Sequence, residues 1–270
     1  MKYMKKIKTI VEENVPDEFQ SLVPKRFDLI GDILILKIPS ELEDIKLKLA
    51  KAILIENNNN IKVVANKVTK VCREERVCKY EIIEGNRLTT IHRENGHKYK
   101  IDIEKVFFNN RLSDERLRVF KQIQPKENIV IPFSGVGPFA IPPAVNSKIT
   151  AIDSNIWACE LLKYNSSLNK VDENLKVING NAFSINKMFT HKFDRAIVPT
   201  PYGKDCFLNV VLKSVKLGGH IHFYTFKSQK EIRNLVKDYE NLGLEIIYYK
   251  KCGNIAPGIS RWVFDLVKKH

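Results

Sequence analysis

The pattern of apolar and polar positions divides this chain in two. From about Ser113 onward, short apolar runs alternate with segments whose apolar residues recur at helical spacing. The runs are Ile129–Pro132, Ile149–Asp153, Leu175–Asn179, Asp194–Val198 and His220–Phe226, and the helical segments lie near Asp114–Gln122, Asn155–Leu168, Asp205–Lys216 and Gln229–Leu242. Two more apolar runs follow, Leu244–Lys250 and Arg261–Leu266. Such βα alternation predicts a doubly wound sheet. The first part reads differently. A helix is predicted over Ile7–Leu22, packed through Ile7, Ile10, Val11, Val15, Phe19 and Leu22. A strand over Asp28–Ile38 is broken at Gly31-Asp32, and Ser40 with Glu43 gives a capping-box start for a helix reaching Glu56. Strands are expected at Ile61–Val68, Lys79–Ile83 and Leu88–His92, with a hairpin about Gly96 pairing Thr89–Glu94 with Tyr99–Ile103. The expected division is an α+β module over 1–112 and a βα domain over 113–270.

One stretch of the second part carries chemistry. Pro132-Phe-Ser-Gly-Val-Gly-Pro-Phe-Ala-Ile141 follows a strand and precedes Ala151-Ile-Asp153, giving the order strand, glycine turn, helix, strand, acidic tip. Gly135 and Gly137 allow backbone N–H groups to approach a ligand, and Asp153 can grip a ribose diol. With Ala140 in place of a third glycine, this is not the dinucleotide fingerprint. A short G-x-G turn with a downstream acid is the usual form of an S-adenosylmethionine site in class I methyltransferases. In such sheets ligands sit beyond the carboxyl ends of the strands, where Gly135, Asp153 and Asn181 all fall.

Composition narrows the partners. Net charge is +14, and between Lys62 and Lys126 the sequence holds 16 Lys/Arg against 9 Asp/Glu, which concentrates half the excess in the first module and its border. That balance suits a polyanion, nucleic acid first. The five cysteines are scattered without a C-x-x-C pair, and no histidine spacing suggests a ligand set, so no metal is expected. No apolar run approaches a membrane span and no signal-peptide core opens the chain, so a cytoplasmic protein is expected.

Several other positions have two readings. Asp153 could bind ribose or cap the helix after it. Asn181, in Asn179-Gly-Asn-Ala182, could meet the adenine edge or simply form a turn. Val198-Pro-Thr-Pro-Tyr-Gly203 makes a rigid loop in which Tyr202 offers a flat face for a flipped base or a packed connector. Glu115 and Arg116 point roughly 100° apart on a helix. Taken alone they are a solvated face; otherwise Arg116 could clamp a carboxylate and Glu115 accept a proton. The cations around Arg73–Lys79 and Thr90–Gly96 could touch phosphates, though each one singly reads as a surface salt bridge.

Together, Phe27-Asp-Leu-Ile-Gly-Asp-Ile-Leu-Ile-Leu36, Thr90-Ile-His-Arg-Glu-Asn-Gly96, Phe107-Phe-Asn-Asn-Arg-Leu-Ser-Asp-Glu-Arg116 and Phe133-Ser-Gly-Val-Gly-Pro-Phe-Ala-Ile-Pro142 resemble the archaeal/eukaryotic tRNA (guanine-37 N1)-methyltransferases. A sister branch uses the same scaffold to transfer an aminocarboxypropyl group in wybutosine synthesis. The resemblance implies a class I methyltransferase Rossmann-like doubly wound sheet with a smaller N-terminal α+β RNA-binding module, S-adenosyl-L-methionine as cofactor, and the anticodon arm of tRNA as partner of a monomeric enzyme. It implies Glu115 as general base and Arg76 as the arginine orienting guanine. Cofactor contacts fall on Asn109, Arg116, Phe133, Gly135, Gly137, Asp153, Asn181, Ala182 and Pro199. The chain departs from the family's pattern at four places. Ile131-Pro132 stands where an Asp usually begins the glycine motif, Asn181 replaces an Asp, and Pro199-Thr-Pro201 replaces an Asn-led loop. Only about 25 residues precede Phe27, where many members carry a domain that grips the tRNA elbow. The short N-terminus is shared with the aminocarboxypropyl branch. A third reading is a tRNA-binding protein without turnover.

Overall fold

A computed structural model describes residues 9–10, 13, 15–22, 27–56, 60–69 and 78–270. The chain separates into two compact units, Met1–Asn110 and Arg111–His270.

In the first unit β1 (Asp28–Ile30) and β2 (Ile33–Leu36) pair antiparallel across Gly31, whose φ of 57° is the left-handed value a tight turn needs. A 3-10 segment (Ser40–Ile45) and α1 (Lys46–Glu56) then cross over, so that β3 (Val63–Lys67) lies parallel to β2, with β4 (Tyr80–Glu84) antiparallel beside it. Leu34, Leu36, Leu42, Leu49, Ile53 and Val64 form the core between helix and sheet. The separate hairpin of β5 (Thr89–Glu94) and β6 (His97–Asp102) turns on Asn95-Gly96, both at positive φ. It is pinned to the β1–β2 turn: Thr90 Oγ1 donates to Asp32 at 2.6 Å, and Arg87 pairs with the same carboxylate.

Two expectations for this unit change. Beyond Pro16 the predicted N-terminal helix becomes a 3-10 turn, Asp17–Leu22, in which Leu22 is exposed, although Ile10 and Val15 are buried as expected. Proline has no N–H to continue an α-helix. Ile7 and Val11 fall outside the described residues. The capping box at Ser40 does not form: Ser40 Oγ turns to Glu41, and Glu43 is taken by Lys46.

The second unit is the predicted doubly wound sheet. Its strand order is β12-β13-β11-β10-β7-β8-β9. β7 (Asn128–Pro132), β8 (Lys148–Asp153), β9 (Leu175–Asn179), β10 (Phe193–Val198) and β11 (Val215–Lys227) run parallel, and β12 (Leu244–Ala256) and β13 (Ile259–Lys268) form an antiparallel pair on the β11 edge. The connecting helices are α2 (Ser113–Phe120), α3 (Ile156–Leu168), α4 (Ile185–Met188), α5 (Phe207–Leu212) and α6 (Ile232–Asn241). One face is wholly apolar: Ala196, Val198, Ile221, Phe223, Phe264 and Leu266 pack against Phe207, Leu208, Val211, Ile232 and Tyr239 of α5 and α6. Alternation along each strand sends the intervening residues, Arg195, His222, Tyr224 and Asp265, to the other face. The helix expected after the glycine turn is absent. Tight turns (Ala140 and Ile141 N–H to Gly137 O, each 2.9 Å) and a 3-10 turn at Pro143–Val145 replace it. Pro138, Pro142 and Pro143 lack the N–H groups a helix there would need.

Candidate active site

The glycine turn bridges the ends of β7 and β8. Phe133 and Gly135 both take left-handed backbone, φ 57° and 55°. For a phenylalanine that conformation costs on the order of 1–2 kcal/mol. The neighbouring packing holds it there, with the Phe133 ring edge-on to Phe207 at 4.8 Å and to Phe183 at 6.4 Å. Gly137 has φ 92°, and a Cβ there would run into Leu162 of α3. Asn165 of the same helix donates to Val136 O at 3.1 Å and locks the turn from below.

Asp153, at the tip of β8, is built into this turn. Gly135 N–H donates to its Oδ2 at 2.8 Å and Asn155 N–H to its Oδ1 at 2.9 Å. A carboxylate offers about four lone-pair positions, so these bonds aim the group and leave it able to accept from a diol. The alternative role, capping the next helix, belongs instead to Asn155, which accepts from Trp157 and Ala158. Asn181 is exposed and caps the turn Ala182–Ser184 through Phe183 N–H at 3.0 Å, so its turn-forming role is realised; Ala182 is buried behind it. Pro199 is half-buried and leads into Thr200, whose N–H and hydroxyl both return to Val198 O. Tyr202 is 63% exposed, its ring edge-on to Phe226.

A solvated face is not what Glu115 and Arg116 form. Arg116 is 4% exposed, and the Glu115 side chain 11%. Arg118, one turn on, grips Glu115 with two bonds of 2.9 and 2.8 Å, and the Tyr224 hydroxyl donates to Oε1 at 2.8 Å. Arg118 also holds Asp265 on β13, at 2.6 and 3.0 Å. Burial opposes its charge, but the bonds to Glu115 and Asp265 win and raise its proton affinity. Asp265 Oδ1 meets His222 Nδ1 at 2.7 Å, and His222 Nε2 meets the buried Arg195 at 2.7 Å. An arginine can only donate, so Nε2 carries the lone pair and Nδ1–H donates to Asp265. The imidazole is therefore neutral, in keeping with burial, which lowers its pKa against the pull of Asp265. Arg195 ends the chain on Glu127, at 2.6 and 2.9 Å.

Phe139 joins the two halves of the site. It lies six residues beyond Phe133, its ring 5.5 Å from that of Tyr224, and the Arg116 guanidinium sits 6.0 Å over it. The segment that makes the glycine turn therefore touches both the Tyr224–Glu115 pair and Arg116. Asn109 is half-buried at the end of the first unit, and Arg76 lies outside the described residues. Sequence reasoning missed Tyr224, Arg118, Asp265 and His222. Of these, Arg118 alone left a local sign, its i,i+3 spacing from Glu115. Among the described residues no group of three or more His, Cys, Asp or Glu could hold a metal, and no helix is long and apolar enough to cross a membrane.

A family model described as the TRM5/TYW2 methyltransferase domain matches residues 90–247. The chain belongs to this family. A second model, the TYW2 N-terminal domain, matches residues 7–89, so the family boundary falls at β5, earlier in the chain than the division between the compact units. A tRNA (guanine(37)-N(1))-methyltransferase Trm5b of Pyrococcus abyssi is 37% identical over 90% of this chain and 75% of its own length. A tRNA(Phe) (4-demethylwyosine(37)-C(7)) aminocarboxypropyltransferase of Pyrococcus horikoshii is 30% identical over 97% of this chain and 95% of its own. Among solved structures, the complex of aTrm5 with tRNALeu superposes with a TM-score of 0.87 at 31% identity, covering 98% of this chain and 78% of that one. The P. horikoshii TYW2 bound to MeSAdo gives 0.78 at 28% identity, covering 98% of both chains.

Proposed function

We propose that this TRM5/TYW2 family member transfers a methyl group from S-adenosylmethionine to N1 of guanine 37 in the anticodon loop of tRNA, with Glu115 as the base. The observation that carries this reading is the placement of Glu115: a carboxylate 11% exposed, fixed by three hydrogen bonds, and linked through Tyr224 and Phe139 to the glycine turn. The residues present fit the cofactor. Asp153 is aimed by two backbone bonds, and Ser134 Oγ, beside Gly135, is a buried polar atom without a protein partner, as a polar ligand's cradle would leave it. Asp153 and the turn from Phe133 to Gly137 would hold the nucleoside, Asn181, Ala182 and Pro199 would border the adenine, and Arg116 would hold the amino-acid carboxylate. Bound S-adenosylmethionine supplies an electrophilic methyl carbon.

Neutral guanine carries a hydrogen on N1, so N1 can attack only as that proton leaves. Glu115 accepts it, and Arg118 and Tyr224 keep the carboxylate from rotating away while it does so. A cation at O6 would stabilise the charge developing on the base; by resemblance that is Arg76. The basic first unit suits docking of the anticodon arm, and the same reading places the protein in the cytoplasm.

The end-to-end match to the aminocarboxypropyltransferase and the TYW2-type N-terminal model favour a second reading, transfer of the aminocarboxypropyl group from the same cofactor. The two separate in one assay. Purified protein is mixed with an unmodified tRNA transcript bearing G37, or with tRNA carrying a wyosine-type base at that position, and with cofactor labelled either in the methyl or in the carboxyl carbon. Methyl label in the RNA is expected; carboxyl label in the RNA of a G37 or wyosine-type substrate would overturn methyl transfer. Glu115→Gln should slow single-turnover transfer by about 100- to 10,000-fold with cofactor binding nearly unchanged, and equal loss of both would overturn the base assignment.

A further inference from the structure

Arg261 is a buried cation without an acid. On β13 it is 6% exposed, its guanidinium 5.1 Å over the Phe226 ring, and among the described residues no carboxylate pairs with it. The ionisable groups that bear on it are Cys252, Tyr224 and Arg116. Neither of the first two neutralises it: burial pushes the Cys252 thiol up to about 12 and holds the Tyr224 phenol well above its ordinary value. Burial and the charge of Arg116 both work against the Arg261 cation. A charge desolvated without compensation is costly, so its retention points to an anion that completes the site. Phe226 also backs the exposed Tyr202, placing the cation beside an accessible aromatic ledge.

We propose that Arg261 binds an oxyanion of the bound reactants, a proposal that rests on the reading of this unit as the one holding S-adenosylmethionine beside RNA. Guanidinium forks match carboxylate and phosphate oxygens alike. The α-carboxylate of the cofactor is one source of that chemistry, and an RNA phosphate the other.

Arg261→Met and Arg261→Lys separate the sources. Calorimetry compares S-adenosylhomocysteine with methylthioadenosine, which lacks the amino-acid end, and fluorescence anisotropy follows a G37 tRNA transcript over a range of salt. If the carboxylate is the ligand, Arg261→Met weakens S-adenosylhomocysteine by about tenfold or more and leaves methylthioadenosine unchanged, with Lys intermediate. If a phosphate is the ligand, tRNA affinity falls, its salt slope drops by about one, and both nucleosides bind normally. In either case the ligand-free Tm stays level or rises, because an uncompensated charge has been removed. Unchanged binding in every arm, or a lowered Tm with all ligands weakened together, would overturn the proposal. These are binding readouts, so they stand apart from the base assignment: transfer surviving in Glu115→Gln would undo that assignment and leave the Arg261 result in place.

Discussion

Two regions of the second unit hold their functional groups in place by opposite means. The cradle from Phe133 to Asp153 is made chiefly of backbone: Gly135 N–H, Asn155 N–H and two left-handed residues fix one carboxylate within 23 residues of sequence. The region around Glu115 is made of side chains, and its chain of contacts runs from Tyr224 on β11 through Glu115 and Arg118 on α2 to Asp265 on β13, His222 on β11, Arg195 on β10 and Glu127. A backbone cradle tolerates the loss of one side chain and loses mainly its ligand. A buried charge chain has no spare partners, so the loss of one member strands the next. Substitutions in the two regions should therefore differ in kind: binding defects in the first, folding defects in the second.

The largest effect is expected from Asp265→Ala. It removes the acceptor for Arg118, Gln122 and His222 at once and leaves one guanidinium and two neutral N–H donors facing an empty position. Breaking such a pair from one side costs about 3–5 kcal/mol, read as a drop in the urea midpoint at pH 7.5. A loss under 1 kcal/mol would mean that the network is not a structural unit. Asp153→Asn is the counterpart. Its remaining carbonyl can still accept from one backbone N–H, so the urea midpoint should move little. Losing the charge-assisted bonds proposed between this carboxylate and the ribose, about 1.5–3 kcal/mol each, should weaken S-adenosylhomocysteine by roughly 10- to 100-fold in calorimetry. Equal damage to stability and binding would erase the contrast between the regions.

The same contrast decides what could be read from the residues alone. The sheet and most of its strands were legible because apolar runs separated by helical spacing have few other ways to bury themselves. The turn that aims Asp153 was legible because Gly135 acts on Asp153 across a single β-turn-β step. The helix expected after the glycine turn failed on Pro138, Pro142 and Pro143, local chemistry that the β-turn-β pattern overshadowed. Glu115 and Arg116 were placed by resemblance; their spacing gave only a helix face. What fixes Glu115 is Tyr224 directly and Asp265 through Arg118, 109 and 150 residues away from it, which the register of β11 with β13 brings opposite α2. The pairing His222↔Asp265 sets that geometry, and nothing in either local sequence announces it.

The smallest predicted effect sharpens the comparison through pH. His222 is locked neutral, donating to Asp265 and accepting from Arg195, and burial holds its pKa below the ordinary value. In the unfolded chain the imidazole titrates near about 6.5. Above that pH both states are neutral there and the full stability is present. As pH falls below it, the unfolded chain binds a proton that the folded chain refuses, so stability declines by up to about 1.4 kcal/mol per pH unit for this one group. Asp265 adds a second decline lower down: bonds from His222 and Arg118 overcome burial and hold its carboxyl well below the usual range, so its share is kept above about pH 4 and lost as pH falls further. Urea midpoints measured from pH 8 to pH 4 should therefore bend downward near pH 6.5 in the wild type and in Asp153→Asn alike, because the cradle takes no part in this titration. In His222→Asn, which cannot take up a proton, the bend should flatten although the whole curve sits lower. If the bend keeps its full depth in His222→Asn, the neutral imidazole is not what ties the charge chain to pH, and the tautomer inferred from Arg195 is wrong.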